Sequence, residues 1–466
     1  MNVKNMGAEI TGRILVSGTL VNTAPLRIGA GTDDKTDSDL VLDGSGKPYI
    51  PGTSWTGAAK DHFRQNFKDM DEKLLEIIFG SEGDDSSKTA YQSAFISYDL
   101  PLMHAAKMEI RTSTRINQKT GATEDKSLHD FELLAANNMF DFGFELVIRE
   151  AYKDQTNALV KFVKTLINEL QNGHISVGAQ SVIGFGKVEL SPVKWKHLEF
   201  PGDAAWWFTG SRKPDESLTV EKGDCFEAKN GLATIQGRFF LQDSILVKQD
   251  YTGEDENIDS EQMQSNGKNI IPGSSIRGVF RHRARKILNT CDIKDRVTLE
   301  NNLFGIVETS KRAQDGKEEQ KDIALKGKLR VSESIIQGGH LEKQTRIRVD
   351  QFTGGVMDGA LFSELPLWSD GKTYIDLKLR INQADPVELA LILQVIKDLW
   401  TGELALGGGG SIGRGKFYGE ELTLNYQSKK VRILQEKSGL QIKDESSLID
   451  EIDKQWQTIL PKEGVA

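Results

Sequence analysis

Aspartate is concentrated in one stretch near the start of the chain, between Gly31 and Asp43. The five aspartates of this stretch are Asp33, Asp34, Asp37, Asp39 and Asp43. Carboxylates at this density are costly unless a hard cation such as Mg²⁺ is recruited, and a single carboxylate can also act as a general base. The segment therefore predicts a metal-assisted or acid–base site. The alternative is an exposed acidic loop without chemistry.

Basic residues recur with helical spacing at two places. Arg277, Arg281 and Arg285 are four residues apart, which places them on one face of a helix, and Lys60 and Arg64 hold corresponding positions earlier in the chain. A helix N-terminus followed one turn later by Lys or Arg suits a phosphodiester backbone. The alternative is a solvated helix surface.

Two glycine-rich loops, Val177–Lys187 and Leu406–Lys416, are the third candidate. They fit neither the P-loop, because Phe417 follows Lys416, nor the dinucleotide fingerprint, because a strand follows. Their glycines could bring backbone N–H groups close to phosphates, with basic side chains beside them. The candidate phosphate-binding residues are Gly184, Gly186, Lys187, Gly413, Arg414, Gly415 and Lys416. The alternative is a turn that only requires positive φ.

These candidates belong to an internal duplication with an offset of about 220 residues. The matching pairs are Ile50–Ser54 with Ile271–Ser275, Ile78–Gly80 with Leu303–Gly305, Thr114–Gly121 with Ile347–Gly354, Phe144–Arg149 with Ile375–Arg380, and Ile183–Lys187 with Ile412–Lys416. Each copy is much longer than a solenoid repeat, so the pattern predicts two whole domains.

Within each copy, the hydrophobic pattern predicts the order strand, helix, strands, helix, strand. The opening strands are Ile14–Val21 and Thr234–Leu241; the first helices begin near Ser54 and Ser275, each a suitable N-cap. The later helix of the second copy has Asp385 as N-cap, Pro386, Glu388 at the third position and Gly402 beyond its end; its counterpart runs over 155–172, with Gly173 as the stop. We predict an α+β chain with two tandem ferredoxin-like, RRM-like domains at 1–195 and 231–426, a linker at 196–230 and a helical tail at 427–466.

Composition limits the classes of protein. A length of 466 residues exceeds a single core, and two cysteines offer neither a disulfide framework nor a zinc site. No apolar run approaches a membrane span, and the first residues lack the pattern of a secretory signal, so we expect a cytoplasmic protein with no membrane partner. The net charge of −9 excludes a uniformly basic surface but permits a local basic groove.

The ordered set of motifs resembles the RAMP superfamily of CRISPR systems. The residues that carry the resemblance are the Pro-Gly-x-Ser turns, Leu303–Gly305, Arg348–Gly355 and the terminal glycine loops, over most of 10–190 and 234–425. It is closest to the backbone subunits of type III effector complexes, and the fusion of two domains is similar to the III-D branch.

The resemblance implies that each domain grips crRNA and that a projecting thumb hairpin flips a nucleotide of the target RNA. Arg115 and Arg348 match the thumb segments as RNA-binding residues. It also implies metal-dependent cleavage through one aspartate before the Pro-Gly turn. Asp37 fits as catalytic residue and Mg²⁺ ligand, and Asp259 fits in the second copy with a one-residue spacing difference.

Three functions follow from the sequence. The first is a type III backbone subunit that binds crRNA and target RNA, contacts other effector subunits and cleaves the target; Asp250 and Asp255 are alternatives to Asp259, and the second site could be inactive. The second is a backbone subunit without cleavage activity. The third is a guide-processing endoribonuclease. The histidines His62, His129 and His282 are predicted to lie at the surface or face RNA.

Overall fold

The computed structural model describes residues 9–31, 39–68, 70–81, 92–114, 116, 117, 120, 123–125, 127–210, 213–229, 231–251, 253, 257–314 and 317–461. The chain divides into two compact units. Unit 1 comprises the described residues of 1–116, 123–181 and 185–229, and unit 2 those of 117–122, 182–184 and 230–466. None of the helices in the described ranges is long and apolar enough to cross a membrane.

Unit 1 is an antiparallel sheet with its longer helices packed on one face, while Trp207 of a short helix lies over Arg13 on the opposite face. Its helices are α1 (Gly52–Asn66), α2 (Glu72–Phe79), α3 (Thr156–Gln171) and α4 (Ala204–Thr209). Its strands are β1 (Ile10–Asn22), β2 (Gly29–Gly31), β3 (Asp39–Leu40), β4 (Tyr49–Ile50), β5 (Phe95–Ser97), β6 (Leu100–Pro101), β7 (Met108–Ser113), β8 (His129–Leu134), β9 (Met139–Arg149), β10 (Val188–Glu199) and β11 (Glu216–Ser217).

Unit 2 repeats and extends this plan. Its helices are α5 (Gly273–Thr290), α6 (Arg296–Phe304), α7 (Pro386–Trp400) and α8 (Leu448–Ile459). Its strands are β12 (Ala233–Leu241), β13 (Ser244–Ile245), β14 (Lys248–Asp250), β15 (Ser260–Gln262), β16 (Gln264–Ser265), β17 (Lys268–Ile271), β18 (Ile306–Gln314), β19 (Lys317–Leu325), β20 (Leu329–Val331), β21 (Ser334–Gln337), β22 (His340–Leu341), β23 (Gln344–Val349), β24 (Val356–Leu365), β25 (Leu367–Trp368), β26 (Tyr374–Ile381), β27 (Thr401–Ala405), β28 (Lys416–Tyr426), β29 (Lys429–Glu436) and β30 (Gly439–Lys443).

The strand order confirms the predicted ferredoxin-like fold in both units. The sheets contain the orders β10-β1-β9-β5 and β28-β12-β26-β21, and each neighbouring pair is antiparallel. In a βαββαβ unit these are the fourth, first, third and second strands. The helices cover one face because alternate residues of each central strand, such as Ile14 and Ile235, are fully buried.

Helix boundaries confirm some of the predicted caps and correct others. Helix α7 has the predicted capping box, in which Asp385 accepts from the Glu388 N–H and the Glu388 side chain accepts from the Asp385 N–H. Helices α1 and α5 begin at Gly52 and Gly273, with prolines as N-caps and no side-chain cap bond. The prediction that Ser54 and Ser275 cap these helices is therefore wrong.

The segment predicted as a linker, 196–230, is folded onto unit 1 over its described part. Strand β11 pairs with β10, Phe226 is buried in the core, and the Lys229 N–H donates to the Asn66 carbonyl at 2.6 Å. Isolated apolar anchors hold it in place, which explains why it shows no sequence periodicity.

The predicted tail, 427–466, begins with two strands rather than a helix. Strands β29 and β30 extend the unit 2 sheet beyond β28, and only then does α8 bury Leu448, Ile452 and Trp456 against the core. The amphipathic helix is confirmed, but the tail is part of unit 2.

Candidate nucleic-acid interface and loop carboxylate

Asp259 lies at the base of a projecting hairpin in unit 2. Its backbone N–H donates to the Ser363 carbonyl at 2.9 Å, and its Oδ2 accepts from the Ser363 N–H at 2.8 Å. The next residues form β15, which pairs in parallel with β24, the second strand of the hairpin. These two bonds fix an otherwise exposed aspartate beside the hairpin.

Asp37, Asp33, Asp34 and Asp255 lie outside the described residues, as does Arg115. Backbone hydrogen bonds nevertheless align the two acidic segments. The Val41 N–H donates to the Ile28 carbonyl, and the Met263 N–H donates to the Val247 carbonyl in the same arrangement. Asp37 is four residues before Val41, and Asp259 is four residues before Met263. The one-residue spacing difference therefore arises after this strand, and Asp37 and Asp259 stand at the same sequence offset from it.

Gln262 interrupts the apolar run of the second copy for a structural reason. It is fully buried; its Oε1 accepts from the Val247 N–H at 2.8 Å, and its Nε2 donates to the Ile270 carbonyl at 2.7 Å. A buried amide with these partners is satisfied. Asp250, the described alternative to Asp259, lies opposite Ser260 in the pairing of β14 with β15.

The hairpin itself, β23 and β24, carries an apolar tip. Asp350 Oδ1 accepts from the N–H groups of Phe352 and Thr353 at 3.0 and 2.8 Å, and these bonds lower the pKa of Asp350. This turn leaves Phe352 98% exposed, with Arg348 also exposed on β23. In unit 1, β7 and β8 form the corresponding hairpin. A preformed exposed aromatic tip suits contact with a partner or with bases.

A buried polar cluster supports the hairpin base. Arg414 is 4% exposed; its Nη1 lies 2.7 Å from Glu364 Oε2, and its Nη2 donates to Gln344 Oε1. Lys248 Nζ lies 2.7 Å from the other Glu364 oxygen. Burial raises the pKa of Glu364, but the bonds from Lys248 and Arg414 outweigh it and the pKa is lowered. Arg414, predicted to bind phosphate, thus ties the glycine loop to the hairpin.

The arginines predicted on the open face of α5 point at α6 instead. Arg281 Nε and Arg285 Nε lie 2.6 and 2.7 Å from the two oxygens of Glu300, which is buried. Arg277 donates to the Phe304 carbonyl at 2.6 Å, and burial lowers its pKa to about 10. These contacts pack α5 against α6, so part of each guanidinium is engaged within the protein.

The basic residues predicted in unit 1 also have protein contacts. Lys60 Nζ lies 5.9 Å from the centre of the Phe79 ring. Arg64 pairs with Glu72 at 2.7 Å, and Lys187 pairs with Glu189 at 3.2 Å, all on partly exposed side chains. Exposed pairs of this kind are weak and could be exchanged for phosphates.

The glycine loops are shaped by close backbone packing. A Cβ on Gly186 or Gly415 would lie 1.8 or 1.9 Å from the carbonyl oxygen of Val177 or Leu406, and both residues have positive φ. The Gly186 N–H donates to the Pro25 carbonyl and the Gly415 N–H to the Ser244 carbonyl, each at 2.7 Å. Gly184 and Gly413 have positive φ as well. The turn alone accounts for these glycines, and the N–H groups of Gly186 and Gly415 are committed to the protein.

His62, on α1, is buried rather than facing RNA, so its predicted exposure is wrong. Its Nε2 lies 2.8 Å from Glu169 Oε2, and His174 Nδ1 lies 3.1 Å from the same oxygen. Burial raises the pKa of Glu169, but the bonds from His174 and His62 outweigh it and bring the pKa down to about 2. Sequence spacing gave no signal of this cluster because its members are 107 and 5 residues apart.

Among the described residues, no group of three or more His, Cys, Asp or Glu side chains is arranged to hold a metal ion. Asp259 offers one carboxylate with one oxygen engaged by Ser363. Such a donor fits Mg²⁺ that is shared with substrate phosphates and retains water, rather than an ion caged by protein alone.

A family model of the RAMP superfamily matches residues 19–189 and 207–418. The chain belongs to the RAMP superfamily. Comparison with curated proteins finds no match. Membership links this RAMP chain to CRISPR-associated proteins that handle RNA, some of which are nucleases. The repeated fold and the two matched ranges agree in describing a tandem RAMP protein.

Substitution at Gly415 tests whether the loop is shaped by packing. We expect Gly415→Ala to lower the free energy of unfolding by about 3 kcal/mol or more, because the new methyl group meets the Leu406 carbonyl oxygen. Gly413→Ala is the matched control: φ is also positive, but nothing lies within 4 Å of its Cβ, so a loss of about 1 kcal/mol is expected. Equal losses in urea unfolding would contradict the packing account.

The Glu169 cluster predicts acid sensitivity. Because the folded-state pKa of about 2 lies below the ordinary 4.5, its contribution is present above about pH 4.5 and is lost as pH falls toward 2. The contribution is on the order of 3 kcal/mol. Unfolding measured between pH 7 and pH 3 should show a destabilised Glu169→Gln variant with a shallower acid dependence. Glu72→Gln, at an exposed pair, should behave as wild type; an unaltered slope in Glu169→Gln would refute the assignment.

Proposed function

We propose that this RAMP chain is a backbone subunit of a type III CRISPR effector complex, one that binds crRNA and cleaves bound target RNA through a loop aspartate. The partners are crRNA, complementary target RNA and other effector subunits. The observation that carries the proposal is the placement of Asp259 against Ser363 at the hairpin base, at the position that corresponds to Asp37. An aspartate at the corresponding sequence position of each copy supports two cleavage positions in one chain.

The proposed chemistry uses the 2′-hydroxyl of RNA as the nucleophile. Asp259, and Asp37 in the first copy, would orient or deprotonate this hydroxyl, which attacks the adjacent phosphorus as the 5′-oxygen of the next nucleotide leaves. The products are a cyclic phosphate and a 5′-hydroxyl end. A bound divalent cation, proposed to be Mg²⁺ with Asp37 as a ligand in the first copy, supplies charge stabilisation at the phosphate.

The hairpins are proposed to separate the target from the guide. Phe352 is almost fully exposed at a turn fixed by Asp350, and apolar side chains such as Ile347 and Leu361 are 49% and 66% exposed along the same hairpin. A rigid apolar projection can insert between stacked bases, at the cost of unstacking them. Such insertion would leave one nucleotide out of the stack near Asp259.

A second candidate is a backbone subunit that holds crRNA without cutting. The observation that favours it is the engagement of Asp259 Oδ2 by the Ser363 N–H, which leaves one carboxylate with fewer positions for a cation. In this case the aspartate would serve as a cap for the hairpin base. We also propose that the complex belongs to subtype III-D. Both candidate functions hold whether or not this subtype is correct.

Cleavage in the assembled complex distinguishes the two. With complementary RNA and Mg²⁺, Asp37→Ala and Asp259→Ala should each remove one product, by about 100-fold or more, because a general base contributes that much. Asp250→Ala is the matched control, one strand away, and should cut as wild type. Single 2′-deoxy substitutions at the cleaved positions should also block cutting.

The outcome that would reject cleavage is a product pattern unchanged in the Asp37→Ala/Asp259→Ala double variant. Binding of crRNA and target, measured by gel shift with the same complexes, should be unchanged in these variants. Retained binding with no altered product would identify the non-cleaving subunit. Cutting of repeat RNA by the isolated chain would instead favour guide processing.

A further inference from the structure

Three aromatic rings form a row on the outer face of the unit 2 sheet. Phe240 on β12 lies directly opposite Tyr374 on β26 and Tyr418 on β28, so all three side chains project to the same side. Phe239 and Phe417, which directly precede Phe240 and Tyr418, are fully buried. Because side chains alternate along a strand, the row itself faces away from the core. Tyr418 is 44% exposed, and Phe240 and Tyr374 are partly exposed.

Arg238 fixes one end of the row. Its guanidinium lies 4.4 Å from the centre of the Tyr374 ring, and its Nε donates to Asp376 Oδ1 at 2.9 Å. The Tyr374 and Phe240 rings are 5.9 Å apart. Since adjacent strands are about 4.8 Å apart, the three rings span roughly 10 Å, a platform for two or three bases.

A basic band lies on the same face, farther along the strands. Thr423 on β28 pairs with Gln236 and Arg432, and Asn425 pairs with Thr234 and Lys430. The residues that continue these two rows on β26, β29 and β30 include five cations, Lys378, Arg380, Lys430, Arg432 and Lys443. Two acids of this face, Asp376 and Glu421, lie in the row between the band and the rings, and a third, Glu436, lies on β29 two residues beyond Leu434, which pairs with Glu421.

The two acids between the rings and the basic band are partly neutralised by arginines. Asp376 pairs with Arg238, and Glu421 lies 3.8 Å from Arg432. From the aromatic row to the first basic row is four residues along β12, or roughly 14 Å at 3.4 Å per residue. A few nucleotides running along the strands would therefore reach both features.

We propose that this outer face, which we call the sheet platform, binds single-stranded RNA. Bases stack on Phe240 and Tyr418 while phosphates contact the basic band, the combination that characterises sequence-tolerant single-strand binding. The proposal is separate from the proposed cleavage, because no residue of the acidic loops or of either hairpin takes part. RNA is the occupant because the chain belongs to a family of RNA-handling proteins.

Unit 1 shows that the shared fold does not require these rings. The equivalent row is Val21, paired with Met139 and Glu189, and contains no aromatic residue. The equivalence follows from two matching bonds, in which Thr23 N–H donates to the Lys187 carbonyl and Gln242 N–H to the Lys416 carbonyl. The aromatic row is thus a property of the second copy, where it is exposed rather than packed in a core.

Binding of a fluorescein-labelled 12-nucleotide adenine-uridine RNA to the full chain, followed by anisotropy, tests the platform. Phe240→Leu/Tyr418→Leu keeps apolar bulk but removes both rings, and should weaken binding about 25-fold, at least about fivefold for each ring. Tyr418→Phe should bind as wild type because the stacking surface remains. Lys378→Gln/Lys430→Gln should lower the slope of log K against log salt by about 0.7 for each phosphate that is no longer neutralised.

Met139→Leu in unit 1 is the matched control and should leave binding unchanged. A blunt RNA duplex should bind the Phe240→Leu/Tyr418→Leu variant and wild type equally, because its bases are already stacked. The proposal is overturned if the double leucine variant, with a wild-type unfolding temperature, binds the single strand within twofold of wild type. It is also overturned if that variant binds RNA normally but no longer assembles with other subunits, since the face then contacts protein. The Asp37→Ala/Asp259→Ala variant should bind the single strand as wild type does. This binding measurement therefore tests the sheet platform independently of the proposed cleavage.

Discussion

The close approach of Gly415 to the backbone of Leu406 is the constraint on which the unit 2 site depends. Only a residue without a Cβ fits against the Leu406 carbonyl, and only then can the Gly415 and Gly408 N–H groups reach the carbonyls of Ser244 and Leu246 at 2.7 Å each. These bonds position the Ser244–Val247 segment. Val247 in turn accepts from Met263 and donates to Gln262, which fixes β15 and the aspartate that precedes it. The glycine-rich loop resembles a phosphate-binding loop in composition. Its structural effect, however, is to position the distant carboxylate of Asp259 through this series of backbone hydrogen bonds.

The two copies keep this backbone scheme and fill it with different side chains. In unit 1, Gly186 and Ala179 bond to Pro25 and Arg27 in the same pattern. The residue between the last two glycines of the loop is Phe185 in unit 1 and Arg414 in unit 2, and both are buried. Phe185 packs against aromatic and guanidinium groups, with Arg111 Cζ at 5.6 Å from its ring, whereas Arg414 pairs with Glu364. Removing one partner of the buried ion pair in unit 2 would leave an uncompensated charge, whereas truncating Phe185 in unit 1 would leave a cavity. Duplication preserved the hydrogen-bond frame and left the packing free to diverge.

Local patterns predicted the fold well, because capping, alternation and turn glycines act over a few residues. The Asp385 capping box, the Gly173 stop and the opening strands all follow from such short-range rules. The site was harder to predict because its contacts join distant segments: Arg414 meets Glu364 across 50 residues, and Asp259 meets Ser363 across 104. Helical spacing placed Arg281 and Arg285 on one face correctly, but it could not show that α6 brings Glu300 to that face. Sequence periodicity predicts which residues share a helix face, but only the tertiary structure shows what that face contacts.

The distribution of cations in unit 2 also explains how an acidic chain can offer a basic surface. The arginines most visible in the sequence, at regular helical spacing, are engaged with buried acids: Arg281 and Arg285 with Glu300, and Arg283 with Asp398. The cations that do face solvent together come from separate strands, one or two from each of β26, β29 and β30, so no run of basic residues marks them. Helical arginines are close enough to a neighbouring helix to be neutralised within the fold, whereas alternate residues on a sheet face have no covering layer. A net charge of −9 is then compatible with local attraction for phosphates, since screening limits the influence of distant acids to about 10 Å.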